Sequence, residues 1–561
     1  MAGAMLSASF PRSSIAGLAW VAPGLLLFSA IGVGRKRAFQ LGYGGGLVFT
    51  LVTLYWLLHM PVGWEKILGW LALCAYLALY PAVWVWLAWR FFPTDLAGVA
   101  PLPSAAETVA RLSGEVGNAR GVVGEVTGAG GQIRLVAAFA AAPRLARLRW
   151  ALLCAVLWVA LEMIVGRLFT GFPFLALGVS QFRILPVTQI ASVTAVYGVS
   201  FLLVWFSVGL GSSLLLLVRH PQQRWLAFGD LLVPMLVVVA VCSSGAGRLA
   251  RRENGGRELK VALIQPSIPQ RLIWDSANAT NRFNKLVELS GAALATRPDL
   301  LIWPEAAVPG MLRYDKFVGD AVSRLAEEHQ TPIILGADDL EPDTQSADPK
   351  AVRVFNSSFL VNRSGRLVAK YDKRHLVIFG EYIPLLKWLP FLKWVTPIDG
   401  GFATGEEVVP FRLEQPRCRT AVLICFEDVL PHLARQYVTG DTDFLVNLTN
   451  GGWFSESAQQ WQHAAVAVFR AIENGLPLVR CTNNGLTCWI DSCGRLDEDY
   501  FRGGKDIYRE GFKIVSVPLL PEGTSRPLTF YTRHGDVFGW GCVGVAALRL
   551  FGLAGWRKRR S

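Results

Sequence analysis

Seven nearly unbroken apolar stretches punctuate the chain: Ile15 to Val33, Gly42 to His59, Ile67 to Trp89, Trp150 to Gly166, Tyr197 to Val218, Trp225 to Cys242 and Val537 to Gly555. Each is close to the roughly 20 residues needed to cross a hydrocarbon core of about 30 Å. Six lie before about residue 245 and one follows residue 536. Seven such runs are too many to bury in protein alone, so they predict a multi-pass α-helical membrane domain.

Between them the pattern changes to that of a soluble protein. Leu259 to Ile264, Asp299 to Trp303 and Pro332 to Gly336 read as buried strands, separated by helical periodicity over 276–295 and 316–328. Further strands are predicted at 353–361, 366–371, 420–425, 443–447, 477–482, 486–491 and 512–516, with helices near 430–438 and 457–474. Strands alternating with helices, mixed with hairpin-like pairs, predict one layered α/β domain. The expected division is a membrane domain of about six helices over 1–245, a soluble domain over 246–535, and a last helix with a basic tail over 536–561. No internal repeat and no phosphate-binding glycine loop is present in the sequence.

The 561 residues are 52% hydrophobic and 17% charged, with a net charge of +13. The positive charge is clustered. Arg35-Lys36-Arg37 follow the first run, Arg144, Arg147 and Arg149 precede the fourth, Arg219 and Arg224 separate the fifth from the sixth, and Arg557 to Arg560 close the chain. Counting from an outside N-terminus puts every cluster on the cytoplasmic side, as the positive-inside rule requires, and puts Ser243 to Asp536 outside. The charge is therefore a topology signal, and nucleic acid is not an expected partner. The first run has no strongly basic segment before it and no clear cleavage site, which reads as a retained helix and not a signal peptide. Residues 94–148 read as a cytoplasmic loop. Of nine cysteines, Cys74, Cys154, Cys242 and Cys542 fall in or beside membrane runs. The other five face an oxidising compartment, where Cys488 and Cys493 are spaced so that pairing is open, while Cys425 has to stay reduced to react. Glu162, inside the fourth run, faces either the bundle interior or the interface beside Arg167.

Three predicted strand ends carry reactive groups. Ile302-Trp-Pro-Glu305 leaves a carboxylate just past a strand; Lys370-Tyr-Asp-Lys373 and the following residues to Glu381 place a lysine and a second carboxylate around a loop; Ala421 to Ile424 ends in Cys425. A thiol attacks only once deprotonated, so it needs a base, and a lysine cation stabilises the oxyanion that then develops on a carbonyl. Taken singly, Cys425 is a packing thiol, Glu305 a helix cap, Lys373 a solvated charge and Glu381 a partner for Arg374.

Together, in this order, these motifs resemble the carbon–nitrogen hydrolase (nitrilase) superfamily. With the membrane runs added, the chain resembles the bacterial apolipoprotein N-acyltransferase family, which places a nitrilase-like domain between its last two membrane helices. The resemblance extends to Thr170-Gly-Phe-Pro173, Gly178-Val-Ser-Gln181, Gln265 to Gln270 with Trp274-Asp275, Phe379-Gly-Glu381, Asn450 to Phe454, Gln462-His463 and Thr482 to Gly485. It covers nearly all of residues 10–555. Departures are also clear. The family usually has eight membrane helices, and here Met1 to Ser14 stands where the first would be. Phe426 replaces a common tyrosine, Asn450-Gly-Gly-Trp453 lacks an acid, and Leu476 replaces an arginine.

The resemblance implies an αββα sandwich outside the bacterial inner membrane and a two-step acyl transfer. Glu305 takes the proton of Cys425, the thiolate attacks a phospholipid acyl ester, and Lys373 with the Phe426 N–H holds the oxyanion while Glu381 orients Lys373. The thioester is then attacked by the N-terminal amine of a diacylglyceryl-cysteine lipoprotein. No metal, nucleotide or other cofactor is implied, and a monomer is expected. Trp274, Trp453 and Phe454 are expected to line the lipid entrance, and Asn356 to join Phe426 in contacting substrate. Pulling an acyl chain of about fifteen methylenes into water costs about 12 kcal/mol, so the site has to open at bilayer level. The rival readings are a membrane-anchored amidase acting on a small amide, which needs only one anchoring helix, and a non-catalytic binding protein, which leaves Glu305, Lys373 and Cys425 without purpose.

Overall fold

The computed structural model describes residues 1–31, 33–93, 138–219, 225, 228–251, 256–273, 275–344, 348–384, 386, 401–497 and 507–558. Most of the loop expected at 94–148, and Trp274, lie outside the described residues. The membrane-side helices are α1 (Ala2–Ser9), α2 (Ala22–Phe28), α3 (Arg35–Thr53), α4 (Glu65–Arg90), α5 (Arg144–Val165), α6 (Val196–Arg219) and α7 (Gly229–Ala250). Among the described residues α4 to α7 are the helices long and apolar enough to cross a membrane.

The run expected from Ile15 to Val33 is not one helix. A 3₁₀ turn, Ala16–Trp20, precedes α2, and Pro23 sits in the first turn of α2, where its missing N–H costs nothing. Before that, Met1 to Ser14 holds α1, about 12 Å long and packed along α3. The second run begins earlier than expected, at Arg35, and stops at Thr53 before a further 3₁₀ turn, Tyr55–His59. The α3–α4 pair is close because Gly42 and Gly46, one turn apart, present no side chain. A Cβ on Gly42 would lie 2.8 Å from the Ala82 Cα, and one on Gly46 3.0 Å from the Ala78 carbonyl oxygen. Helix α7 extends eight residues past Cys242, and the first strand begins at Arg257.

The soluble layers contain two sheets. One has the order β11-β1-β2-β3-β4-β5, the other β10-β9-β8-β7-β6. In chain order the strands are β1 (Arg257–Gln265), β2 (Leu300–Ile302), β3 (Ile333–Pro342), β4 (Val352–Val361), β5 (Leu367–Asp372), β6 (Pro410–Glu414), β7 (Arg417–Ile424), β8 (Phe444–Thr449), β9 (Leu478–Thr482), β10 (Cys488–Ile490) and β11 (Gly511–Leu519). Strand β6 was not among the sequence expectations. Alternation along the first sheet divides the core. Val261, Leu263, Ile302, Ile334 and Leu360 face the second sheet, while Ala262, Ile264, Leu335 and Phe359 face the helices α8 (Ala279–Leu294) and α9 (Lys316–His329). Helix α10 (Gln459–Asn474) covers the outer face of the second sheet, which completes an αββα sandwich. The last helix, α11, runs Val537–Lys558.

Helix α10 is buried along nearly its whole length because membrane-side elements cover its far side. Gln462 accepts from Trp56 Nε1 at 3.0 Å and donates to the Thr53 carbonyl at 3.2 Å, and Glu473 accepts from the Val196 N–H at 3.0 Å. Arg167, just past α5, pairs with Asp536 at the start of α11 at 2.6 Å. These contacts gather the C-terminal ends of α3 and α5 and the N-terminal ends of α6 and α11 at the sandwich. Consecutive long helices therefore alternate in direction. Glu162 takes the interior alternative. Its Oε1 accepts from Trp158 Nε1 (2.7 Å) and the Leu177 N–H (2.8 Å), beside an apolar cleft that Phe49, Trp84 and Phe172 also line. Cys488 opens β10, and Cys493 lies buried in the turn that follows it.

Candidate active site

Strand β7 ends at Ile424, and Cys425 turns the chain sharply with φ +52°, into the 3₁₀ turn Cys425–Val429. A left-handed conformation in a non-glycine residue is costly and persists only where its surroundings impose it. Glu427 imposes it here. Fully buried, it reaches back to accept from the Ile424 N–H at 2.7 Å. The same carboxylate accepts from the Tyr371 hydroxyl (2.8 Å) and from the N–H groups of Arg374 (2.8 Å) and His375 (3.1 Å). One side chain thus clamps the Cys425 turn to the loop that carries Lys373. From below, Asn447 donates to the Cys425 carbonyl at 3.1 Å and accepts from Arg480, which also pairs with Asp428. His463 Nε2 lies 2.6 Å from the other Asp428 oxygen.

The structure brings together five of the sequence-predicted residues, Glu305, Asn356, Lys373, Glu381 and Cys425. Glu305 follows β2 through Trp303 and Pro304, and its loop rests against Gly336 of β3, where a Cβ would come within 2.8 Å of the Glu305 Cα. Lys373, just past β5 and 1% exposed, donates to Glu381 Oε1 at 2.7 Å and lies 3.8 Å from Glu305 Oε1. Asn356 of β4 bridges the two acids, its Nδ2 donating to Glu305 Oε1 (2.9 Å) and to Glu381 Oε1 (3.2 Å). Glu381 Oε2 accepts from the Val377 N–H at 2.8 Å, which folds the intervening loop back on itself. Glu305 Oε2 is buried without a hydrogen-bond partner, while Oε1 accepts from Asn356, and the Cys425 thiol and this carboxyl lie close enough to shift each other's titration.

Burial raises the Glu305 pKa above the ordinary carboxyl value, Lys373 opposing and Glu381 adding to the rise. Burial also pushes the Cys425 thiol up to about 12, with the Glu305 charge adding to it and Lys373 opposing. For Lys373, burial alone favours the neutral amine, but Glu381, Cys425 and Glu305 outweigh it and hold the cation. The resting site is therefore a neutral thiol beside a high-pKa carboxyl and a fixed positive charge. Such an arrangement passes one proton between thiol and carboxylate and meets a developing oxyanion with a cation already in place.

The ring of Phe426 stacks on Phe174 (centroids 6.3 Å, 14°) and on His375 (6.3 Å, 17°), with Phe172 6.1 Å away. Phe454 meets Trp56 edge-on at 4.7 Å, and Trp56 in turn meets Phe174. Aromatic rings from the membrane side and from the sandwich thus share one wall beside Cys425. Trp453 is half-buried in the same turn as Phe454, Gly451–Phe454. Sequence reasoning did not foresee the clamp made by Glu427, the Asp428–His463–Arg480 group under the turn, or a further carboxylate, Asp338, near Glu305 and Glu381. Glu427 and Asp428 follow Cys425-Phe426, so two consecutive acids at a buried strand end are the available signal.

Fold and sequence define a nitrilase-type domain joined to a helical membrane domain. The carbon–nitrogen hydrolase family profile matches residues 260–504, and the apolipoprotein N-acyltransferase N-terminal domain profile matches residues 2–112 and 123–209. An apolipoprotein N-acyltransferase of Geobacter metallireducens is 34% identical over 98% of this chain and 93% of its own length. Those of Chlorobaculum tepidum (31%, over 72% of this chain and 76% of the relative) and Vibrio vulnificus (28%, over 100% and 96%) are also similar. Among solved structures, an amidase from Nesterenkonia sp. aligns with a TM-score of 0.33 at 18% identity, over 47% of this chain and 91% of that one. The chain belongs to the apolipoprotein N-acyltransferase family and is an acyltransferase of the membrane. The amidase alternative is not favoured, because the family likeness spans the membrane half as well as the catalytic half.

Proposed function

We propose that Cys425, Glu305, Lys373 and Glu381 carry a ping-pong transfer of an acyl chain from a phospholipid to the N-terminal amine of a diacylglyceryl-cysteine lipoprotein. The single observation behind the roles is Lys373 held between Glu305 and Glu381 beside a cysteine strained at a strand end. Glu305 takes the Cys425 proton, and the thiolate attacks the ester carbonyl. Lys373 Nζ and the Phe426 N–H meet the oxyanion; a sharp turn after a strand is the geometry that frees the N–H following a nucleophile. The ester C–O bond breaks, Glu305 returns the proton to the departing lysophospholipid, and a thioester remains on Cys425. The acceptor amine then attacks this thioester, and Glu305 carries a proton from nitrogen to the leaving sulfur.

Residues 246–535 are read as the periplasmic domain, 1–245 and 536–561 as its mounting in the bacterial inner membrane, and the protein as a monomer. Basic residues flank the bundle ends remote from the sandwich, which supports that orientation. Phe426, Phe454, Trp453 and Asn356 are read as substrate contacts, and the shared aromatic wall supports entry of acyl chains from the bilayer side. Intact-mass measurement after incubation with phospholipid tests the assignment. The wild type should gain one acyl mass that hydroxylamine removes, and Cys425→Ala should gain none. An adduct that persists in the variant overturns it.

A further inference from the structure

Strands β3 and β4 are antiparallel, with Asp338 directly opposite Asn356. Cross-strand partners share a face of the sheet, so Asp338 lies beside the amide that bridges Glu305 and Glu381. Gly336, two residues earlier on that face, is the seat of the Glu305 loop. Among the described residues the Asp338 carboxylate makes no hydrogen bond or ion pair, and it is only half-buried. Two neighbouring acceptors also lack donors: Asn356 Oδ1 and Glu305 Oε2, on residues 5% and 7% exposed. The local donors, Lys373 Nζ and Asn356 Nδ2, are already engaged with Glu305 and Glu381. A group with several N–H donors and a positive charge would complete this corner.

The proton count of the second half-reaction asks for the same thing. An N-terminal amine has a pKa of about 7.7–8.0, so at neutral pH the acceptor arrives largely as an ammonium. Glu305 moves one proton from nitrogen to sulfur and ends as it began. The ammonium carries one more, which has to leave before the nitrogen lone pair can attack. We propose that Asp338 docks the acceptor's ammonium beside Asn356 and takes this first proton, then passes it to water. No other bond changes: N–H becomes O–H on the carboxyl, and the free amine goes on to attack the thioester. Burial, with the charges of Glu305 and Glu381 facing it, raises Asp338 to about 6, a stronger base than an ordinary aspartate yet ionised at pH 7.

The inference rests on Cys425 as the thioester-bearing residue, and the test separates the two. Full-length enzyme is loaded with phospholipid, thioester is followed by intact mass, and a synthetic diacylglyceryl-cysteine peptide is added across pH 6–9.5. In Asp338→Asn, thioester discharge at pH 7 should slow about tenfold or more with a raised acceptor KM, the loss of one charge-assisted hydrogen bond. The deficit should shrink above pH 9, where the acceptor is already a free amine, and Asp338→Glu should recover most of the rate. Discharge by Asp338→Asn at the wild-type KM and rate at pH 7 overturns the proposal. So does an equal slowing of thioester formation and discharge at every pH, which marks a merely structural residue. Failure of the wild type to form any thioester refutes the Cys425 assignment itself.

Discussion

Two cysteines at the same edge of one sheet have opposite fates. Strands β7 and β9 lie parallel on either side of β8, and burial raises the thiol pKa at both Cys425 and Cys481. Cys481 stays inside its strand and points its Sγ at the carbonyls of Ile264 and Ile302, 3.3 Å from each. The residues that follow it are fully engaged. Thr482 donates to Gln265, and Asn483 donates to the Ile268 carbonyl and to Asn450, which pins the 265–270 loop to the sheet. Cys425 sits one residue past its strand, strained, with a carboxyl and a cation in reach and with acceptors left unfilled nearby. Burial alone makes a thiol inert. The proposed reactivity of Cys425 rests on the carboxyl, the cation and the unmet hydrogen-bonding capacity gathered at the β7 edge.

The comparison breaks most visibly if both thiols are removed in turn. Cys425→Ala should abolish lysophospholipid release, a fall on the order of 10⁴-fold or more, as loss of a nucleophile does elsewhere. Next, Lys373→Met should cost about 10²–10³-fold in thioester formation, the usual cost of losing one oxyanion donor. Lys373→Arg should not restore it, because a planar fork does not fit a position closed on all sides and aimed at one Glu381 oxygen 2.7 Å away. In the proposed mechanism Glu305 works as the carboxylate, and burial raises its pKa. Thioester formation should therefore fall as pH drops through a value above the usual 4.5. Glu305→Gln should lose about 10²–10⁴-fold and show no such acid limb in a pH–rate profile. The smallest effect is expected at the other edge. Cys481→Ala should leave kcat unchanged and lower stability by roughly 1–2 kcal/mol, read as a drop of a few degrees in thermal unfolding in detergent.

What could be read from the chain follows a simple physical division. Residues that end strands announce themselves, because an apolar run stops at a polar group; Glu305 and Cys425 were legible in that way, and Lys373 with Glu381 through motif order. A layered α/β domain is legible from alternation, the αββα sandwich only through the family resemblance, and the four long apolar helices from run length. What depended on register was not. Nothing in the local sequence says that Asn356 lies between two carboxylates from other loops, or that Asp338 lies across from it. The reach of Glu427 to four partners likewise needs the turn to exist first. At the N-terminal run hydropathy was a poor guide, since Val21-Ala-Pro23 reads as apolar yet starts a new helix. Strand β6 escapes the sequence pattern because Pro410-Phe-Arg-Leu-Glu414 is short and alternates polar with apolar, as an edge strand does.

The stacking of Phe426 on Phe174, with Phe172 alongside, has a consequence for portability. The ring that follows Cys425 packs on two phenylalanines of the membrane half as well as on His375 of the sandwich. A sandwich excised and regrafted onto a single anchor would keep its thiol, carboxyls and lysine but lose the wall that steadies the neighbouring residue. Catalytic layer and bundle are one chemical unit, not a cartridge and its holder.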